Sequence, residues 1–441
     1  MKHSIRPVFG LAVISALVLM VSACSGGTSN PPATTDTSAT EPAAANLVMS
    51  IWGSDTDTTA YQQRADAYTA MHPGIKVTVT NIPTANYLQQ VNTMITGGSA
   101  PDIILVDGTS GPSLASRGAL VDMTPLLQAA NLDPTTVVDA GRLTGYQMNG
   151  DQFALPDRGG NIVFYYNKTM FDAAGVAYPT NGWTWDDMVS AAQKMTIRDG
   201  TKTTQWGVAI DDWPNATASV LNSWGCQWFN SDFTQATINS DACVTGLTNY
   251  GDLQLTLKVS PTLKDYADYG QNVNRDALFS QGQTAMIWAG VWDAADFAQQ
   301  GLSFGIVPPP TGVPGQATMQ AFGTGLAISS ASKNQDAAWD VVQYMFSPAG
   351  QQPIVDNHQD VPSANSLLSA WAASLPAGVT YDEVTAATSS GMVFSSPGLP
   401  QMNQITQQLQ TDLDDYFNGL SSPSTVLDKA NTEINAILAA G

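Results

Sequence analysis

Histidine, cysteine and basic charge are what this chain has least of. Its 441 residues hold 3 His, 3 Cys and 16 Lys plus Arg, against 37 Asp plus Glu, for a net charge of −21. Phosphate backbones are bound by clustered Lys and Arg, so this balance argues against nucleic acid as a partner. Zinc sites draw their ligands from sets of Cys and His. Three scattered Cys without a CxxC pair, and three His, supply no such set, and no metal or other cofactor is expected. There is no G-x-S-x-G, H-E-x-x-H or phosphate-loop sequence. Charged residues of any kind make up only 12 %, while hydrophobic residues reach 43 %. That is a folded chain rich in uncharged polar residues, long enough for two domains or more. Flat aromatic surface is plentiful, with 11 Trp and 13 Tyr.

The first residues read as a targeting segment. Lys2 and Arg6 form a positive start, and residues 8–21 are mostly apolar but short for a membrane span. The run ends in Val21-Ser22-Ala23-Cys24, which resembles the bacterial lipobox, whose Cys is lipidated and becomes the first mature residue. An ordinary cleaved signal with a coincidental Cys is the other reading; the Ser/Gly/Thr-rich stretch that follows favours the lipid. Residues 1–23 are thus expected to be a signal peptide and 24–45 a lipidated flexible tether, with Pro32, Pro42 and many Ser, Thr and Ala.

Folded structure is expected from residue 47. Strand candidates at 47–52, 75–80 and 103–106 are separated by helical faces that carry Tyr61, Ala65 and Tyr68, then Leu88, Val91 and Ile95. This β-α-β-α-β order predicts a parallel sheet, whose ligands bind beyond the carboxyl ends of strands. Ser54, Asp55 and Asp107 occupy such ends. Residues 153–168 read as a strand, a polar joint (Asp157, Arg158 and two glycines), and a second strand, a joint suited to the floor of a cleft between two halves. The pattern then restarts. Thr184 and Asp187 predict a capping box, residues 206–210, 284–288 and 304–307 read as strands, and the tail is helical.

Several motifs in order resemble the family 1 extracellular solute-binding proteins, the carbohydrate-type receptors of ABC importers that include maltose-binding protein. They are His72-Pro73-Gly74-Ile75-Lys76-Val77, Pro101-Asp102-Ile103, Tyr165-Tyr166-Asn167-Lys168, Ala174-Gly175 and Trp183-Thr184-Trp185-Asp186-Asp187. Phe279, Gly282, Ala285 and Met286 follow in an F-x-x-G-x-x-A-M pattern, then Gly290-Val291-Trp292, Gly305-Ile306-Val307-Pro308, Ser332-Lys333-Asn334 and Ala337-Ala338-Trp339. The resemblance covers about residues 47–350. It implies an α/β fold of two Rossmann-like lobes joined by a multi-crossing hinge, of the periplasmic-binding-protein type II kind. The first lobe would take residues 46–156 plus about 309–350, the second 157–308 plus about 351–441. Crossings are expected at 153–158, 308–310 and 351–362.

A sugar presents hydroxyls at its rim and C–H groups on its faces. Trp or Tyr buries the faces, while Asp, Asn, Arg and Gln bond the rim. Trp292 is the leading stacking candidate: it follows a glycine at a strand end, and the matching Trp of the family contacts sugar. Trp224, Trp288 and Asp293 are further candidates, the two tryptophans against a core role. Asp107, Asp157 and Arg158 are the polar candidates, against capping or a mutual hinge pair. Ser54 and Asp55 match a ligand-contacting turn of the family. Gly323, within 322–325, would let backbone approach ligand.

Two function classes follow. One is a lipid-anchored receptor on the outer face of the cytoplasmic membrane, monomeric, handing a carbohydrate to ABC importer permease subunits. The other is a secreted carbohydrate-active enzyme. A receptor for a non-sugar solute is a nearer rival. The carboxylate pairs Asp211-Asp212 and Asp414-Asp415 argue weakly for catalysis, because strand neighbours point to opposite faces, so an enzyme is not expected. With Cys24 taken by lipid, Cys226 and Cys243 remain in an exported domain and are expected to form a disulfide; two buried free thiols are the alternative.

Overall fold

The computed structural model describes residues 44–440, apart from Asp211 and residues 271–272, 358–359, 377–378, 380, 383, 386–392 and 396. Cys24, the expected signal segment and nearly all of the tether therefore lie outside the described residues, as does Asp211 of the first carboxylate pair. In the first lobe, strand β1 (Ala45–Ile51) is followed by helix α1 (Asp55–Met71), β2 (Ile75–Asn81), β3 (Ile103–Asp107) and the short helix α2 (Ser110–Ala115). β1 pairs in parallel with both β2 and β3. In β2, Ile75 and Val77 are buried between exposed Lys76 and Thr78, whereas β3 is buried along its apolar run because both its faces are covered. α1 starts on a reciprocal cap between Ser54 and Asp57 and buries Tyr61, Arg64, Ala65 and Tyr68.

The expected strand, joint and strand of residues 153–168 is instead one strand of 13 residues, β4 (Leu155–Asn167). Its second half pairs with β5 (Met286–Gly290) and β6 (Phe304–Val307) in the second lobe. Its first half pairs with β7 (Met319–Ile328), which also pairs with β3 of the first lobe. Gly159 and Gly160 admit neighbours rather than bend the chain. A Cβ on Gly159 would lie 2.6 Å from the Phe322 carbonyl oxygen, and one on Gly160 2.2 Å from Val291 Cγ1.

The second lobe buries both faces of its sheet. Ile162, Phe164 and Tyr166 pack in one apolar cluster with Met286 and Trp288, while Val163 and Tyr165 pack in another with Ile287 and Phe297. This is the period of two that a strand imposes. Helices α3 (Pro214–Ser223) and α4 (Asp241–Leu255) belong to the first cluster, and α5 (Ala294–Gln299) to the second. Cys226 and Cys243 are joined in a disulfide that ties the loop after α3 to α4, with Cα atoms 4.5 Å apart.

The crossing expected at 308–310 lies further on. Residues just beyond it still belong to the second lobe: Thr311 bridges Thr184, and the Val313 N–H donates to Ser223. The chain passes along β7 itself, from Met319 in the second lobe's core to Leu326, Ala327 and Ile328 in the first. After α6 (Pro348–Asp356), which packs on α1, strand β8 (Val361–Pro362) returns to pair with β4 at Gly159 and Arg158. Helices α7 (Met402–Phe417) and α8 (Pro423–Ala440) complete the second lobe. Among the described residues no helix is long and apolar enough to cross a membrane.

Candidate functional site

β4, β7 and the segment entering β8 run side by side and floor a cleft of about 510 Å³ between the lobes. Trp52, Asp57, Asp107, Thr109 and Ser110 line it from the first lobe; Trp213, Asn215, Trp292, Asp293, Asp296, Asn403 and Thr406 line it from the second. The walls also touch one another. Asp296 of α5 accepts a hydrogen bond from Thr56 of α1, and α7 packs against α2.

The floor is set by a bulge. Thr324 of β7 faces Arg158 and Gly325 faces Pro156, so Asp157 is left without a partner on β7. Asp157 turns into the first lobe and is 1 % exposed. It accepts from Tyr61 Oη at 2.5 Å and from both terminal nitrogens of Arg64, whose Nε and Nη2 also donate to the Gly350 and Met345 carbonyls at 2.7 and 2.8 Å. Arg158 turns to the cleft. Its Nη1 contacts Asp57 and, at 3.0 Å, Asp360, while its guanidinium lies 5.3 Å from the Tyr61 ring centre. One guanidinium between two carboxylates neutralises only one of them. Burial, only partly offset by Arg158, pushes the Asp360 carboxyl up to about 7.

The aromatic wall depends on a missing side chain. A Cβ on Gly290 would fall 1.9 Å from Trp292 Cε2, so the indole lies against bare backbone. Its partner across the floor is Phe322, with ring centres 5.5 Å apart and planes tilted by 51°. Asp293 caps the same turn by accepting from the Gly290 N–H at 3.1 Å. Burial first, then Asp276, hold its carboxyl well above the usual range; Asp296 is raised by burial and by Asp57. At the opposite wall Asp107 Oδ1 takes four bonds, from the N–H and hydroxyl groups of Thr109 and Ser110, at 2.7 to 2.9 Å. Its Oδ2 makes no hydrogen bond among the described residues. The arrangement offers flat apolar surface, hydroxyls, amides and carboxylates around one cavity.

The family model described as bacterial extracellular solute-binding protein matches residues 52–352. This chain belongs to that family. A galactooligosaccharide-binding protein of Bacillus subtilis (strain 168) is 22 % identical over 391 residues, covering 86 % of this chain and 87 % of that one. The maltodextrin-binding protein MdxE of the same strain is 22 % identical over 351 residues, 77 % of each chain. Among solved structures, the ABC substrate-binding protein Lmo0181 of Listeria monocytogenes, in complex with cycloalternan, superimposes with a TM-score of 0.83 at 25 % identity, covering 89 % of this chain and 99 % of that one. The fold is therefore the two-lobed α/β architecture of ABC substrate-binding proteins.

In this solute-binding protein Ser54, Asp107, Arg158, Trp292, Asp293 and Gly323 line the cleft, although the Ser54 hydroxyl is engaged in the α1 cap. Asp55 is exposed on the first turn of α1 and does not line it. Asp157 belongs to the buried pair with Arg64, because the bulge turns it away. Trp288 is 1 % exposed and packs edge-on against Phe164, inside β5 rather than at its end. Trp224 packs against Trp185 and onto Gly312, where a Cβ would lie 2.4 Å from the indole. Neither tryptophan reaches the cleft. Trp52, Asp57, Trp213, Asp296, Asp360, Asn403 and Thr406 were not singled out from the sequence. Trp213, just before a helix-starting proline, and Asp57, in the Ser-x-x-Asp cap, carried local signals; Asp360 and Asn403 carried none.

Proposed function

We propose that the protein is an extracytoplasmic receptor that binds a sugar or oligosaccharide in this cleft and delivers it to the permease of an ABC importer. The observation that carries the reading is the pairing of an open indole face, Trp292 beside Phe322, with a ring of hydroxyl, amide and carboxylate groups at the meeting of two lobes. Apolar faces and hydroxyl rims of a sugar call for that combination. The relatives, a galactooligosaccharide-binding and a maltodextrin-binding protein, point to the same ligand class. A ligand that binds only the native state raises its apparent stability. A thermal-shift screen over mono- and oligosaccharides, followed by calorimetry, should therefore find a stoichiometric binder that is recovered unchanged. Turnover of the sugar would favour the enzyme reading, and stabilisation only by non-sugar solutes would remove the sugar.

The same reading makes the mature protein a monomer held to the outer face of the cytoplasmic membrane by acyl chains on Cys24. Replacing Cys24 by Ala should move it from the membrane fraction into the medium or periplasm. Continued membrane association of Cys24→Ala would remove the anchor from the proposal.

A further inference from the structure

Three polar side chains on the cleft floor are more than nine-tenths buried and still have atoms without a hydrogen-bond partner among the described residues. Arg158, Thr324 and Asp360 are 6 %, 5 % and 6 % exposed. The unpartnered atoms are Arg158 Nε, Thr324 Oγ1 and Asp360 Oδ1. A buried polar atom left unpaired is destabilising, and native structures keep few of them. These three are also neighbours. Thr324 stands directly across the β4–β7 ladder from Arg158, and Pro362 stands across from Arg158 on the other side. Asp360, two residues before Pro362, is bonded to Arg158 Nη1 at 3.0 Å. All three line the cleft.

We infer that Arg158, Thr324 and Asp360 form a hydroxyl-reading floor on the hinge, which anchors one neutral sugar ring through adjacent hydroxyls and turns away acidic sugars. This rests on the sugar-receptor reading and names the part of the cleft that selects within it. With Asp360 ionised, above about pH 7, the chemistry of the set is specific: Nε is a donor only, a carboxylate oxygen an acceptor only, and the Thr324 hydroxyl either. A sugar hydroxyl is itself donor and acceptor, so adjacent hydroxyls match both the donor and the acceptor atoms of the set. A carboxylate or phosphate cannot donate to Asp360. It would also meet a floor where Asp57 and Asp360 already outnumber the charge of Arg158. Each of the three segments supplies one group, so the anchor sits where the lobes join. Phe322, two residues before Thr324 on β7, places its ring on the same cleft, so the anchored ring lies within reach of the aromatic wall.

Thr324→Val separates this role from a structural one. The substitution keeps the branched shape and removes a hydroxyl that bonds nothing among the described residues, so the melting temperature without ligand should stay level or rise. Calorimetry at about pH 8, where Asp360 is ionised, would use glucose, galactose, maltose, lactose, maltotriose and erythritol as neutral probes and glucuronate and glucose 6-phosphate as acidic ones. The wild type should bind at least one neutral saccharide and prefer it to both acidic probes. For that saccharide Thr324→Val should weaken binding about five- to tenfold, the loss of one hydrogen bond. Asp360→Asn should weaken it on the order of 10- to 100-fold, the loss of a charge-assisted one. If both variants bind like wild type while Trp292→Ala loses affinity, the floor is wrong and the sugar reading stands. Binding of an acidic probe in preference to every neutral one, or no binding by any probe, overturns both.

Discussion

Asp157 and Arg158 are neighbours on one strand, and they live in opposite electrostatic worlds. On the first lobe's side, Asp157 meets a single arginine whose three guanidinium nitrogens all bond a carboxylate or a carbonyl, and Tyr61 adds another bond to Asp157. On the cleft side, Arg158 meets two carboxylates and keeps an unpartnered nitrogen. Both are buried. Burial therefore does not tell a closed ion pair from an open one; the bonds left unmade do. A closed network fixes α1, the hinge strand and the corner before α6 against one another. An open one holds bonding capacity that the protein itself does not use.

The largest effect expected from that contrast is on the closed side. Asp157→Ala strands the Arg64 charge in a dry site and should cost roughly 3–5 kcal/mol in urea unfolding, while the folded fraction keeps near-normal ligand affinity. A loss below about 1 kcal/mol would put Asp157 among ordinary surface pairs and dissolve the contrast.

The next is on the open side and depends on pH. The native carboxyl of Asp360 titrates at about 7, above its ordinary 3.8. A group raised in the native state holds its proton more tightly there, so its contribution to stability is complete below pH 4 and is lost as pH rises through 7. Unfolding free energy of the ligand-free protein should fall between pH 4 and 8, with up to roughly 4 kcal/mol of that fall due to this group. Asp360→Asn, which cannot titrate, should flatten the curve. Parallel curves for the two proteins would remove Asp360 as the cause.

A smaller effect is expected at the aromatic wall. Trp292→Ala should weaken sugar binding by about 1 kcal/mol or more with little change in melting temperature, because the indole rests on glycine and faces the cavity. A lowered melting temperature with unchanged affinity would instead assign it to the core. The smallest belongs to Ser54. Its hydroxyl is committed to Asp57 within the α1 cap, so Ser54→Ala should cost about 1 kcal/mol of stability and leave affinity nearly untouched.

Much of this was legible in the residues. Alternation marked β2, continuous apolar runs marked β3 and the strand of Phe304, and a cap marked the helix that begins at Trp185. The ordered motifs pointed to the family that the matched model shows. Trp292 was marked by the glycine before it and the strand before that. These are local signals, and local physical chemistry produces them: period, capping and turn preference act over a few residues. The tertiary structure alone decided the rest. Whether Gly159-Gly160 bends or lies flat depends on Phe322 and Val291, which approach from more than 100 residues away in sequence. Trp288 and Trp292 are of one residue type, four positions apart, yet one is core and the other wall because β5 ends between them. Asp360 falls within the crossing expected at 351–362, but no local pattern singles it out there. Its acidity is altered only because the entry to β8 buries it in the floor, where Arg158 offsets the burial in part and the nearby Asp57 adds to it.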